Sequence, residues 1–98
     1  MQRSVKNFIE NYSLQTNEQV RYIDLVSEVG ELGKEILTGT SYGKKEYEHT
    51  HNASSELGDC LFSLLALCCE MNIDAEQALG QALAKYEARF AQKGSINS

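Results

Sequence analysis

Ser55–Cys69 reads SELGDCLFSLLALCC, and the fold turns on this stretch. Nine of the ten residues from Cys60 to Cys69 are apolar or cysteine. A helix through them, beginning near Ala53, must be covered nearly all round and stand at the centre of the molecule. The rest of the chain is equally permissive of helix, with no Pro, no Trp, 42% hydrophobic residues and abundant Ala, Leu, Glu and Gln. The expectation is an all-α fold of about four helices.

Working outward, Val5, Phe8, Ile9 and Tyr12 fall on one helical face, which predicts a short first helix over Val5 to Leu14. Thr16 and Asn17 can cap a longer second helix, Glu18 to Leu37, whose broad apolar side carries Val20, Ile23, Leu25, Val26, Val29, Leu32 and Ile36. The sequence GTSYG (Gly39 to Gly43) breaks the pattern, and KKEYEHTHN after it has no apolar period, so a loop is expected there. Beyond the central helix Asn72 interrupts and Asp74 is a good N-cap. A last helix, Ala75 to about Gln92, then turns Ala78, Leu79, Ala82, Leu83, Tyr86 and Phe90 inward. Residues 93–98 read as a frayed tail.

The 98 residues suit one domain spanning 1–98. A domain of this size buries only about two thirds of its unfolded surface, so self-association would help complete the core. The formal net charge of -5 argues against coating a nucleic-acid polymer, which requires surplus Lys and Arg. No stretch approaches the roughly 18 apolar residues of a membrane span, and MQRSVKNFIE lacks the apolar core of a secretory signal. A cytoplasmic protein without membrane contact is expected. Cys60, Cys68 and Cys69 lack CxxC spacing and read as reduced core residues.

The polar residues with chemical potential are carboxylates. Glu28, Glu31 and Glu35 lie at i, i+3, i+7 on one face of the second helix, with Asp24 a turn earlier, and Glu56 and Asp59 are i, i+3 on the central helix. In an antiparallel hairpin the pairs Glu28/Glu31 and Glu56/Asp59 can meet. Carboxylates about 4 to 6 Å apart repel by several kcal/mol at an effective dielectric near 20, a cost that calls for a cation. Oxygen-only ligation suits Mg²⁺, or Mn²⁺ in its place. Spacing alone serves an ordinary solvated acidic face equally well. Gly30, Gly33 and Gly58 inside helices, each unfavourable relative to Ala, point to close approach of another helix or of a ligand.

SEVGELGKEI (Ser27–Ile36) followed by ELGDCLFSLLAL (Glu56–Leu67) resembles the MazG-like family of nucleoside triphosphate pyrophosphohydrolases, marked by E-x-x-E on one helix and E-x-x-D on the next. KYEARF (Lys85–Phe90) extends the resemblance more loosely. It implies that Glu28, Glu31, Glu56 and Asp59 are the metal ligands and catalytic residues. It also implies a helical hairpin that pairs with a second copy into a four-helix bundle, as a homodimer or homotetramer. The implied reaction cleaves (deoxy)nucleoside triphosphates between the α and β phosphates, giving a monophosphate and pyrophosphate in house-cleaning of the nucleotide pool. Ser27 stands where many relatives carry a further Glu. Phosphoribosyl-ATP is the alternative substrate, and a noncatalytic metal-binding helical module the alternative from another class.

Positive charge for phosphates could come from Lys85 and Arg89 with Lys93 on the last helix, or from Lys34 beside the acidic stripe, though such residues also serve as solvated surface. Phe8, Tyr12, Tyr22 and Phe62 offer walls for a nucleobase, and aromatics at helical spacing serve equally as core. Phe8 is taken with Lys34, Lys85 and Arg89 as the substrate-binding set.

Overall fold

The structure, a computed structural model, describes residues 1–93. Four helices follow one another, α1 (Gln2–Asn11), α2 (Glu18–Gly39), α3 (Ala53–Glu70) and α4 (Ala75–Lys93), and among the described residues there is no strand. The all-α expectation holds. Of the tail expected over residues 93–98, Lys93 is the last residue of α4 and the rest lies outside the described residues.

Side chains and local backbone geometry set the helix ends. Asn17 caps α2, its Oδ1 accepting from the Val20 amide at 2.9 Å, and Asp74 caps α4 by accepting from the Gln77 amide at 3.0 Å. α1, α2 and α3 all stop on a left-handed residue other than glycine: Ser13, Ser41 and Asn72, with φ of 53°, 50° and 54°. At each, the next amide reaches back to a helix carbonyl, Leu14 to Ile9, Tyr42 to Leu37 and Ile73 to Cys68, so the last turn is closed by the backbone itself. α2 therefore runs through Gly39, where the sequence predicted a break. Gly39 is needed for space: a Cβ there would sit 2.6 Å from the Glu48 carbonyl oxygen and 2.6 Å from the Tyr47 ring, because the following loop folds back and the Glu48 amide donates to the Gly39 carbonyl.

α2 and α3 form the principal packed pair, and α1 lies across α3. Among the described residues the buried apolar ones are few, Ile9, Leu65 and Ala66. Two ties hold α1 and the α1–α2 connection against the far end of α3. Gln2 donates to the Ile73 carbonyl and accepts from the Ala75 amide, both at 2.7 Å, and Arg21 pairs with Glu70 while donating to the Leu14 carbonyl at 2.6 Å.

Four expectations are corrected. α3 is covered on the sides facing α1 and α2 only, leaving Leu57, Leu61 and Leu64 exposed. The apolar side of α4 does not turn inward: Leu79 is 59% and Phe90 60% exposed, because α4 has no packing against α2 or α3 comparable to theirs against each other. The three cysteines are free and half-buried rather than core. A Cβ added at Gly30, Gly33 or Gly58 would meet nothing within 4 Å, so the close approach expected there is not made within one chain.

Candidate metal centre

The hairpin brings one carboxylate of α2 against two of α3. Glu28, Glu56 and Asp59 each offer a ligand atom within 4.8 Å of the others, Glu28 and Glu56 half-buried and Asp59 exposed. The i, i+3 spacing aims Glu56 and Asp59 the same way, and antiparallel packing presents Glu28 to both. The electrostatic result is visible at Glu56, whose carboxyl is pushed above the usual carboxylate range by desolvation first, then by the charges of Asp59, Glu28, Glu31 and Glu35. Burial and then Glu28, Glu56 and Asp59 likewise raise the Cys60 thiol, leaving it neutral and a poor ligand or nucleophile.

Glu31 is exposed and stands outside that trio, near enough to add to the negative field at Glu56. Glu35, a turn further on, is occupied by the loop, accepting a hydrogen bond from the Thr50 hydroxyl. In the other direction the stripe runs through Asp24 to Arg21. With Glu28 and Asp59, and with Phe62 and Ser63 of α3, these line a cleft of about 420 Å³. Arg21 is only 8% exposed, an unusual state for a cation, sustained by Glu70 and the Leu14 carbonyl. The spacing that pairs Glu56 with Asp59 continues to Ser63, whereas Arg21 was passed over in the sequence. Extending the Glu28 stripe back by seven residues would have found the arginine, but its burial depends on Glu70, 49 positions away.

The substrate candidates are dispersed. Phe8 stacks at a tilt on Tyr12, ring centroids 4.9 Å apart, and edge-on to Phe62 at 5.8 Å, so it backs the ring that lines the cleft. Lys34 is exposed on α2, one turn beyond Glu31. Lys85 and Arg89 lie about the Tyr86 ring on α4, at 5.3 and 6.0 Å from its centroid, and neither lines the cleft.

The model of the MazG nucleotide pyrophosphohydrolase domain matches residues 15–92. The chain belongs to this family. The match takes in α2, α3 and nearly all of α4 and hence every carboxylate of the trio, while α1 with Phe8 precedes it. No curated protein and no solved structure matched the chain. The MazG domain here has no described helix long and apolar enough to cross a membrane.

Proposed function

We propose that this chain is a Mg²⁺-dependent nucleotide pyrophosphohydrolase that cleaves ribo- or deoxynucleoside triphosphates between the α and β phosphates, releasing a nucleoside monophosphate and pyrophosphate. MazG membership supports the reaction class. The observation that carries the metal is the convergence of Glu28, Glu56 and Asp59 within 4.8 Å of one another; desolvation first, and then the neighbouring carboxylates, raise Glu56. An all-oxygen donor set fits Mg²⁺, with Mn²⁺ as a substitute, and the neutral Cys60 beside it adds no soft ligand. When bound, such an ion supplies neutralisation of the triphosphate and makes hydroxide accessible near neutral pH.

In this reading Glu28, Glu56 and Asp59 hold the ion. Glu31, solvent-exposed one turn along, is the carboxylate free to accept a proton from the attacking water. Lys34, a turn further, meets the departing pyrophosphate. The enzyme acts as a homodimer or homotetramer in the cytoplasm, where the nucleotide pool is. Support for assembly comes from its accessible surface of 7435 Å², against about 5,600 Å² for a compact monomer of this mass. The bare apolar stripe of α4 adds to it. Packing of α4 against a second copy would set where Lys85 and Arg89 reach, and their role in phosphate binding rests on that.

The test is pyrophosphate release from a panel of nucleoside triphosphates, with Mg²⁺ and with a chelator. Metal-dependent release with a monophosphate as co-product is the expected outcome. Silence across the panel would overturn the reading and turn attention to phosphoribosyl-ATP and then to a noncatalytic metal-binding module.

A further inference from the structure

We propose that Arg21 and Asp24, at the end of the cleft away from the carboxylate trio, determine which nucleoside the protein accepts. Asp24 accepts a hydrogen bond from a sugar hydroxyl, and Arg21 donates to a carbonyl oxygen of the base. The assignment rests on the pyrophosphohydrolase reading for the position of the phosphates, and its residues lie outside the trio.

The cleft has a direction. Its α2 wall runs from Glu28 back to Asp24 and Arg21, and its α3 wall runs from Asp59 forward to Phe62 and Ser63. The two helices are antiparallel, so both walls lead the same way, and the Arg21–Glu70 pair closes the far end. At 1.5 Å per residue Asp24 lies about 6 Å and Arg21 about 10 Å along the axis from Glu28. An α-phosphate, a sugar and a base follow one another over a comparable length.

The lining changes in keeping with that order. Carboxylates crowd the Glu28 end, where a cation is needed before any phosphate can approach, and the apolar face of Phe62, backed edge-on by Phe8, belongs to the other half. A base suits an aromatic wall with one or two fixed polar groups. Arg21 is such a group. Glu70 and the Leu14 carbonyl take two of its five N–H donors and immobilise it, and the residue lines the cleft with donors left over from those two bonds. Asp24 beside it accepts only. A fixed donor with an acceptor one turn away discriminates among nucleosides because a ligand lacking the complementary group leaves a polar atom unpaired.

Asp24 is exposed, so Asp24→Ala, which removes the acceptor outright, tests the assignment without endangering the fold. For the preferred triphosphate KM should rise about tenfold, the effect of losing one charge-assisted hydrogen bond, while kcat and the Mg²⁺ concentration for half-activation stay within about threefold. An unchanged KM, or a loss confined to kcat, would overturn the proposal. A second measurement needs no turnover: with Mg²⁺ present, a nucleoside monophosphate, and separately pyrophosphate, is titrated into the wild-type chain and followed by NMR. The Asp24 and Ser63 amides and the Arg21 Nε–H should shift with the monophosphate and not with pyrophosphate; no shift, or the same shift with both, overturns it. Monophosphate shifts in a protein that releases no pyrophosphate would sink the reaction and leave the nucleoside cleft standing.

Discussion

At Glu56 a partly buried carboxyl faces Asp59 on its own helix and Glu28 across the hairpin, and it holds its proton more tightly than a free side chain would. Its folded-state pKa lies above the unfolded one, so the folded chain binds more protons in the interval between them. This contribution to metal-free stability therefore falls as pH rises through that interval and is level above it. Unfolding temperatures of the metal-free protein from about pH 4 to about pH 7 should show a decline that Glu56→Gln reduces; an identical slope in the variant would remove Glu56 from the account. The carboxylates should also divide by role. Glu28→Gln, Glu56→Gln and Asp59→Asn are expected to weaken Mn²⁺ binding at least about tenfold by calorimetry, since each would remove a ligand of the proposed ion. Glu31→Gln should leave binding within about threefold and lower kcat by about a hundredfold or more, as loss of a general base does. Equal losses of metal affinity in all four would place Glu31 among the ligands.

Among the elements, α2 shows how local rules and long-range contacts share control. Its start is legible, since Asn17 before an apolar-periodic run is a cap that needs nothing from elsewhere. Its end is not: the glycine that reads as a breaker is helical, and Ser41 takes the left-handed turn. The reason Gly39 must be glycine is the returning loop. Gly39→Ala should destabilise the protein by about 1 to 3 kcal/mol, through contact with the Glu48 backbone and the Tyr47 ring, and urea unfolding would measure it. Alanine at Gly30, which meets open space in one chain, should be neutral or stabilising unless a second copy packs there. The cleft follows the same division, with the Glu28 face readable from spacing and the burial of Arg21 readable only from Glu70.

For the molecule as a whole, the radius of gyration of 16.7 Å exceeds the roughly 13 Å of a compact chain this long, in keeping with an α4 that, among the described residues, packs far less than α2 and α3 do on each other. Leu79, Leu83 and Phe90 form an apolar stripe along it, and α2 adds Ile23, Val26 and Val29. If these faces meet in a second copy, sedimentation should show a dimer or tetramer, and the unfolding temperature should rise with protein concentration. Leu83→Glu should then shift the distribution toward monomer while leaving helical circular dichroism of the monomer largely intact. A wild-type chain that stays monomeric at high concentration would end the assembly reading.

The sequence by itself determined the four helices, their caps at Asn17 and Asp74, and the helical faces on which the acidic residues lie, because these follow from periodicity and from groups a few residues apart. The absence of Pro and the nearly continuous apolar run Cys60–Cys69 leave little other choice of local structure. The tertiary structure alone decided that Glu28, rather than Glu28 and Glu31 together, meets Glu56 and Asp59. It also decided that Arg21 is buried at the end of a cleft, that Gly39 is pressed by its own loop, and that α4 stands bare. Each of these depends on distances between side chains of different helices, set by how the hairpin and its long connection pack, and no spacing within one helix encodes them.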